Sequence, residues 1–240
     1  MSKSLVVITG ASSGIGKACA IRLSKEGHPL LLLARRLEVM EALELPNTMC
    51  KSVDVTDREA VSQAVSEAEE KFGPTDCFIN NAGIMLLGSM AEQDPKEWDK
   101  MLDVNVKGVL NGIHAVLGKM VERKGGTIVN VSSIAGRKTF PNHAAYCGTK
   151  FAVHAITENI REEVAEHNVR MVTIAPGVVE TALLSHTSSD GIKGDYESWK
   201  DTIGGGLHAE DIAEAIYFAY SRPQRVCIRE IVLAVTGQGP

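Results

Sequence analysis

Tyr146 and Lys150, four positions apart, are the residues in this chain best placed to do chemistry. In a helical pattern, positions i and i+4 share a face, so the phenol and the ammonium project together. A free phenol, with a pKa of about 10, is no base at neutral pH. Lowering it to roughly 7 takes about 4 kcal/mol of preference for the phenolate. An ammonium about 4 Å away, at an effective dielectric near 20, supplies about that much. The pair is therefore expected to act as a proton shuttle. Taken alone, the spacing fits equally a half-buried tyrosine and a solvated lysine, so the surroundings must decide. Cys147, next in the chain, reads as a small packing residue, with a reactive thiol as the alternative.

The bounds around this pair are ordinary. With 240 residues, 44% hydrophobic and 23% charged, the chain suits one large globular domain with a substantial core over 1–240. A net charge of −5, with no local Lys/Arg cluster, excludes a nucleic-acid surface. Apolar runs such as 30–33 fall far short of the ~20 residues that span a bilayer, and no secretory leader is expected. The five cysteines are scattered without a Cys-x-x-Cys, which suits reduced thiols. A soluble, cytoplasmic protein is the expectation. None of the seven histidines forms a His-x-x-x-His or Glu-linked pair, so no metal site is expected.

The elements that must hold Tyr146 and Lys150 alternate regularly. Apolar, β-branched runs predict strands at 5–9, 30–34, 48–53, 77–80, 127–131, 169–175 and 227–235. Helical patterns fall at 17–25, 57–72, 95–122, 146–167 and 208–220, with Thr56 as a candidate cap for the second. The segment 178–207 reads as irregular and polar, ends in Gly204-Gly-Gly206, and is long enough to be a substrate-binding loop. The whole predicts an α/β fold: a single doubly wound (Rossmann) domain whose parallel sheet of about seven strands is flanked by helices on both faces.

Strand, glycine-rich turn and helix at 5–25 make a phosphate cradle. The turn is Gly10-Ala-Ser12-Ser13-Gly14-Ile15-Gly16, a G-x-x-x-G-x-G spacing rather than the common G-x-G-x-x-G. It also satisfies G-x-S-x-G, which would make Ser12 the nucleophile of a serine hydrolase. That elbow normally follows several strands, whereas one precedes Ser12, and Gly16 would have no role in it. About 20 residues on, where an acid would select NAD, stand Arg35 and Arg36, either a seat for the NADP 2′-phosphate or a solvated pair. Asn81, Ala82 and Gly83 follow a strand end, where open α/β sheets bind ligands, although a turn would explain them too. Asn105 falls on the apolar stripe of 95–122 and must find hydrogen-bond partners, either neighbouring backbone or a water near the site.

Together these pieces resemble the short-chain dehydrogenase/reductase family over nearly the whole chain. The matching residues are Thr9-Gly10-x-x-x-Gly14-x-Gly16, Asn80-Asn81-Ala82-Gly83, Asn105, Ser133, Tyr146-x-x-x-Lys150 and Pro176-Gly177-x-x-x-Thr181. The resemblance implies an NADP(H)-dependent oxidoreductase that moves a hydride between the nicotinamide and a small alcohol or carbonyl compound. Tyr146 would exchange a proton with the substrate oxygen, Ser133 would hold that oxygen, and Lys150 would tune Tyr146 and bind the cofactor ribose. Asn105 would position a water. Asp54 and Val55 would flank the adenine, Asn81 to Gly83 would support the cofactor, and Pro176, Gly177, Val179 and Thr181 would meet the carboxamide end. Arg35 would take the 2′-phosphate.

The Ala34-Arg35-Arg36 signature and the short tail are similar to the NADP-preferring branch that contains 3-hydroxy acid and serine dehydrogenases and reductases of small aldehydes, so that a 3-hydroxy acid or a short aldehyde or ketone is the implied substrate. A carboxylate substrate would need a cation, for which Arg137, Lys138 or His143 are candidates. The resemblance also implies a homotetramer. A cofactor-sensing protein without catalysis fits the same fold.

Overall fold

A computed structural model describes residues 3–239. The strands are β1 Leu5–Thr9, β2 Leu30–Ala34, β3 Thr48–Ser52, β4 Thr75–Asn80, β5 Thr127–Val131, β6 Arg170–Pro176 and β7 Glu230–Leu233. They form one seven-stranded sheet in the order β3-β2-β1-β4-β5-β6-β7, with every pairing parallel. Chain order reverses between β1 and β4, and that switch point opens a crevice at the carboxyl ends of the two strands. Every residue of β1, β2, β5 and β6 is buried, as continuous apolar strands require when helices cover both faces.

Helices α1 (Gly14–Lys25) and α8 (Ala209–Tyr220) cover one face, packing Cys19, Leu23, Ile212 and Ile216 on the sheet. The short α2 (Leu37–Glu41) adds Met40 to that side. The opposite face takes α3 (Arg58–Phe72), α5 (Gly108–Glu122) and α6 (Ala144–Val164), through Val61, Val65, Ile113, Val116 and Val153. A third apolar cluster, with Ile84, Met85, Leu87, Met101, Tyr146 and Cys147, lies beneath the crevice. Cys147 is buried within this cluster, and burial raises its thiol pKa, as suits a packing residue.

Four local expectations are corrected. The stretch 95–122 is not one α-helix but α4 (Pro95–Leu102), a π-helical turn (Asp103–Lys107) and α5. The π turn carries the buried Asn105, and such bulges occur mainly at functional sites. The segment 178–207 is not irregular: it holds a 3₁₀ turn (Ala182–His186) and α7 (Asp190–Thr202). Its apolar residues Ile192, Tyr196 and Trp199 lie at helical spacing, but Gly191, Gly194 and the surrounding charges hide the stripe in the sequence. Finally, β7 is shorter than 227–235, and Asp57 rather than Thr56 caps α3 by accepting a 3.0 Å bond from the Ala60 N–H.

The two ends of 178–207 are stitched together. Leu207 N–H donates to Val178 O (2.9 Å), Glu180 N–H to Leu207 O (2.8 Å), and Gly206 N–H to the Glu180 carboxylate (2.8 Å). The excursion between them, including α7, leans over the crevice from a fixed base. Thr187 ties it down by accepting from Leu87 N–H (3.1 Å) and donating to Met85 O (3.2 Å).

Candidate active site

A cleft of about 760 Å³ follows the switch point, and every cofactor-contact residue named from the sequence except Gly16 lines it. At its first end the chain turns sharply at Gly10, which has φ +65°, and a Cβ there would lie 2.9 Å from Ala82 Cα. Gly16 is a packing residue instead: a Cβ would sit 2.4 Å from Gly10 O, so only glycine lets α1 pass this close to the turn. Gly16 itself does not line the cleft. Thr9, which sequence reasoning used only as the first residue of a motif, clamps the crevice. Its hydroxyl accepts from the Asn81 and Ala82 N–H groups (2.9 and 3.0 Å), and the Asn81 amide donates to Thr9 O (2.9 Å).

Of the two arginines, Arg36 is the one drawn to the turn. Its Nη2 donates to the hydroxyls of Ser12 (3.0 Å) and Ser13 (3.1 Å). Ser12, with its hydroxyl engaged this way, has no histidine in hydrogen-bond contact among the described residues, which removes the nucleophile-elbow reading. Arg35 also lines the cleft, near Asp54. Burial acts to raise the Asp54 pKa, but bonds from the Thr56 N–H and hydroxyl, with the charge of Arg35, outweigh it and hold the pKa low. Lys100 and His186 line the same cleft and were not foreseen. Burial, then the charges of Arg35, Lys100 and Arg36, lower the His186 pKa, so four cationic or protonatable side chains converge at this end.

Tyr146 and Lys150 come together at the other end, only 5% and 7% exposed. Lys150 Nζ lies 5.7 Å from the Tyr146 ring centroid and donates to Val131 O (3.1 Å). Burial pushes the Tyr146 phenol above its usual range, against a hydrogen bond with Ser133 that lowers it. The Lys150 ammonium is pulled down to about 8, also by burial. Burial thus works against the phenolate–ammonium pairing that the spacing alone suggests.

Ser133 and Asn105 stand behind the cleft wall. The Ser133 hydroxyl is beside the Tyr146 phenol, donates to Pro176 O (3.3 Å) and accepts from Ala135 N–H (3.1 Å). The Asn105 side chain is committed to protein: Oδ1 accepts from Ile84 N–H (2.8 Å), and Nδ2 donates to Ile84 O (2.9 Å) and Thr149 Oγ1 (3.1 Å). Thr149 in turn donates to Tyr146 O (2.7 Å). Asn105 therefore fastens the segment after β4 to the helix of Tyr146. Its side chain is thus satisfied by neighbouring protein groups, as the first of the two alternatives has it. Asn80 points away from the cleft into a core ladder, donating to Asn130 (2.8 Å), which donates to Thr157 (2.8 Å).

Behind Lys150, His154 meets the Ser132 hydroxyl (2.9 Å) and Glu230 (3.1 Å), and so pins α6 to β7. Arg137 is paired to Glu230 at 2.6 Å, and the Lys138 ammonium lies over the Phe140 ring at 5.3 Å. Neither faces the cleft. No helix among the described residues is long and apolar enough to cross a membrane. Among the described residues, no group of three or more His, Cys, Asp or Glu side chains is arranged to hold a metal.

A doubly wound parallel sheet with a glycine turn at its switch point, anion-seeking arginines at one end and a buried Tyr/Lys pair at the other defines a dinucleotide-dependent class of protein. The family model described as short chain dehydrogenase matches residues 4–191. The chain belongs to this oxidoreductase family. It is 40% identical over 241 residues to an uncharacterized oxidoreductase of Staphylococcus saprophyticus, covering 98% of this chain and 96% of that one. Among solved structures, it is similar to a closed form of serine dehydrogenase complexed with NADP+, with a TM-score of 0.90, 28% identity and 98% and 96% coverage. An alcohol dehydrogenase from Thermococcus sibiricus, complexed with 5-hydroxy-NADP, gives a TM-score of 0.86 at 28% identity, with 99% of each chain covered.

Proposed function

We propose that this protein is an NADP(H)-dependent carbonyl reductase or alcohol dehydrogenase acting on a small molecule. The observation that carries the reading is the polarity of the cleft: Arg36 on the two serine hydroxyls at one end, and Tyr146 with Ser133 above a buried Lys150 at the other. The residues present fit a dinucleotide phosphate. Gly10 leaves room for close backbone approach, Arg36 and Arg35 offer charge to a 2′-phosphate, and Asp54 and Val55 wall the adenine side. When bound, the nicotinamide supplies the hydride. Tyr146 gives the proton to the substrate oxygen, and the Ser133 hydroxyl, turned from its long bond to Pro176 O, holds that oxygen as negative charge grows on it. At neutral pH Tyr146 carries the proton that carbonyl reduction consumes, while burial, by raising its pKa, makes it a weaker acid than a free phenol. Lys150, beneath it, would bond the cofactor ribose and refill the proton. The segment 178–207 forms the substrate side within what we take to be a single domain, 1–240.

Several relatives with this fold carry NADP in their described complexes, which supports the same cofactor here. Tyr146→Phe is expected to abolish NADPH oxidation with a carbonyl panel while changing NADPH affinity less than about threefold, because a neutral ring keeps the packing. Full turnover by that variant would remove the proton donor. NADPH binding without turnover of any carbonyl by the wild type would favour the sensing alternative.

A further inference from the structure

The substrate half of the cleft has a composition that the family resemblance does not specify. Tyr196, on α7, lines the cleft, and its hydroxyl makes no hydrogen bond to a described residue. Its ring is held edge-on by Trp199 at 5.5 Å and lies 6.3 Å from the ring of His143, which is itself 6.4 Å from Tyr146. Tyr196 is near enough to Tyr146 to add to the upward push on that phenol. A free donor beside the proton-giving phenol, on a braced ring, is placed to touch whatever reacts there. Met85, Leu183 and Leu184 supply apolar wall around it.

The charges at this end are accounted for one by one. Lys200 is bound by Glu180 (3.1 Å) and Glu197 (2.5 Å), and two carboxylates against one ammonium leave a formal charge of −1 on this wall. Arg137 is held by Glu230 outside the cleft. Lys138 covers Phe140. Burial lowers the His143 pKa, so at neutral pH its imidazole is uncharged. Lys150 is directed to Val131 O beneath Tyr146. Lys100, His186, Arg35 and Arg36 sense one another at the opposite end. No uncommitted cation among the described residues faces Tyr196.

We propose that Tyr196 is a substrate-contacting specificity residue, and that the pocket it forms with Tyr146 admits an uncharged aldehyde or ketone with an apolar flank and refuses a carboxylate. This rests on the carbonyl-reducing reading and, of the substrates the resemblance left open, favours short aldehydes and ketones over 3-hydroxy acids and serine. A carboxylate would be stripped of water beside a net negative wall, and like-charge juxtaposition costs several kcal/mol. The Tyr196 hydroxyl instead offers one neutral hydrogen bond, to the reacting oxygen or to an ester or keto oxygen next to it.

The test uses the full chain with NADPH and matched pairs: pyruvate, acetoacetate and benzoylformate, each beside its ethyl ester. The expected kcat/KM is higher for each ester by on the order of 100-fold. Tyr196→Phe is expected to lower ester kcat/KM about 5- to 10-fold, the worth of one neutral hydrogen bond, with the NADPH dissociation constant unchanged. Tyr196→Arg is expected to raise kcat/KM for the acids. Acids used as well as their esters, or a Tyr196→Phe variant identical to wild type on the esters, would overturn this proposal and leave the reductase reading standing. NADPH consumed with no member of any pair would defeat the reductase reading, and this proposal with it.

Discussion

Replacing Lys150 by methionine tests the dryness of the site without any ligand. The Lys150 ammonium has a pKa of about 8 in the folded chain against an ordinary 10.5, because burial disfavours its charge. Between those values the unfolded chain holds a proton that the folded chain has released, so wild-type stability rises with pH across that window. Below about pH 8 both states are protonated and the full penalty, about 3 kcal/mol, is present; above about pH 10.5 it has vanished. Lys150→Met cannot titrate, and Tyr146 is common to both proteins and cancels to first order in their difference.

The variant is therefore expected to gain on wild type at neutral pH, less about 1 kcal/mol for the bond lost by Val131 O at every pH. Wild type should then recover about 2 kcal/mol relative to the variant between about pH 7.5 and about pH 10. Paired urea denaturations at closely spaced pH values read this directly. Two stability curves that run parallel across that range would show that Lys150 keeps its ordinary pKa, and the account of a dry site would fail.

Two further outcomes follow from the proposed cofactor and assembly. Arg36→Ala is expected to weaken NADPH binding roughly 10- to 100-fold, the worth of a hydrogen-bonded contact to a charged group, and to spare NADH. Arg35→Ala should cost less, since its charge also serves Asp54, and calorimetry showing equal losses for both cofactors would refute the 2′-phosphate assignment. We also propose a homotetramer in which paired subunits pack α5 and α6 together, where Leu110 and Phe151 are 43% exposed despite their size. Light scattering should give the tetramer mass for wild type and a smaller species for Phe151→Glu, whereas a monomeric wild type ends the idea.

The sheet, the glycine turn and the Tyr146/Lys150 pairing were legible in the sequence because each is written in short-range signals. Four-residue spacing fixes a helix face, uninterrupted apolar runs fix strands covered on both sides, and glycine spacing marks where backbone must come close. The helix α7 was not legible, since its stabilising contacts lie on Ile192 and Tyr196, which pack on the cluster beneath the crevice, while its local composition favours a loop. The site's charge state was not legible either. Which of Arg35 and Arg36 reaches the serines, whether Asn105 is spent on Ile84 and Thr149, and whether His154 finds Glu230 all depend on partners 21 to 76 positions away. Most of all, the sequence places a phenol beside an ammonium, but only the packed structure decides how little water reaches them. Desolvation is a property of everything that surrounds a group, and no spacing between two residues encodes it.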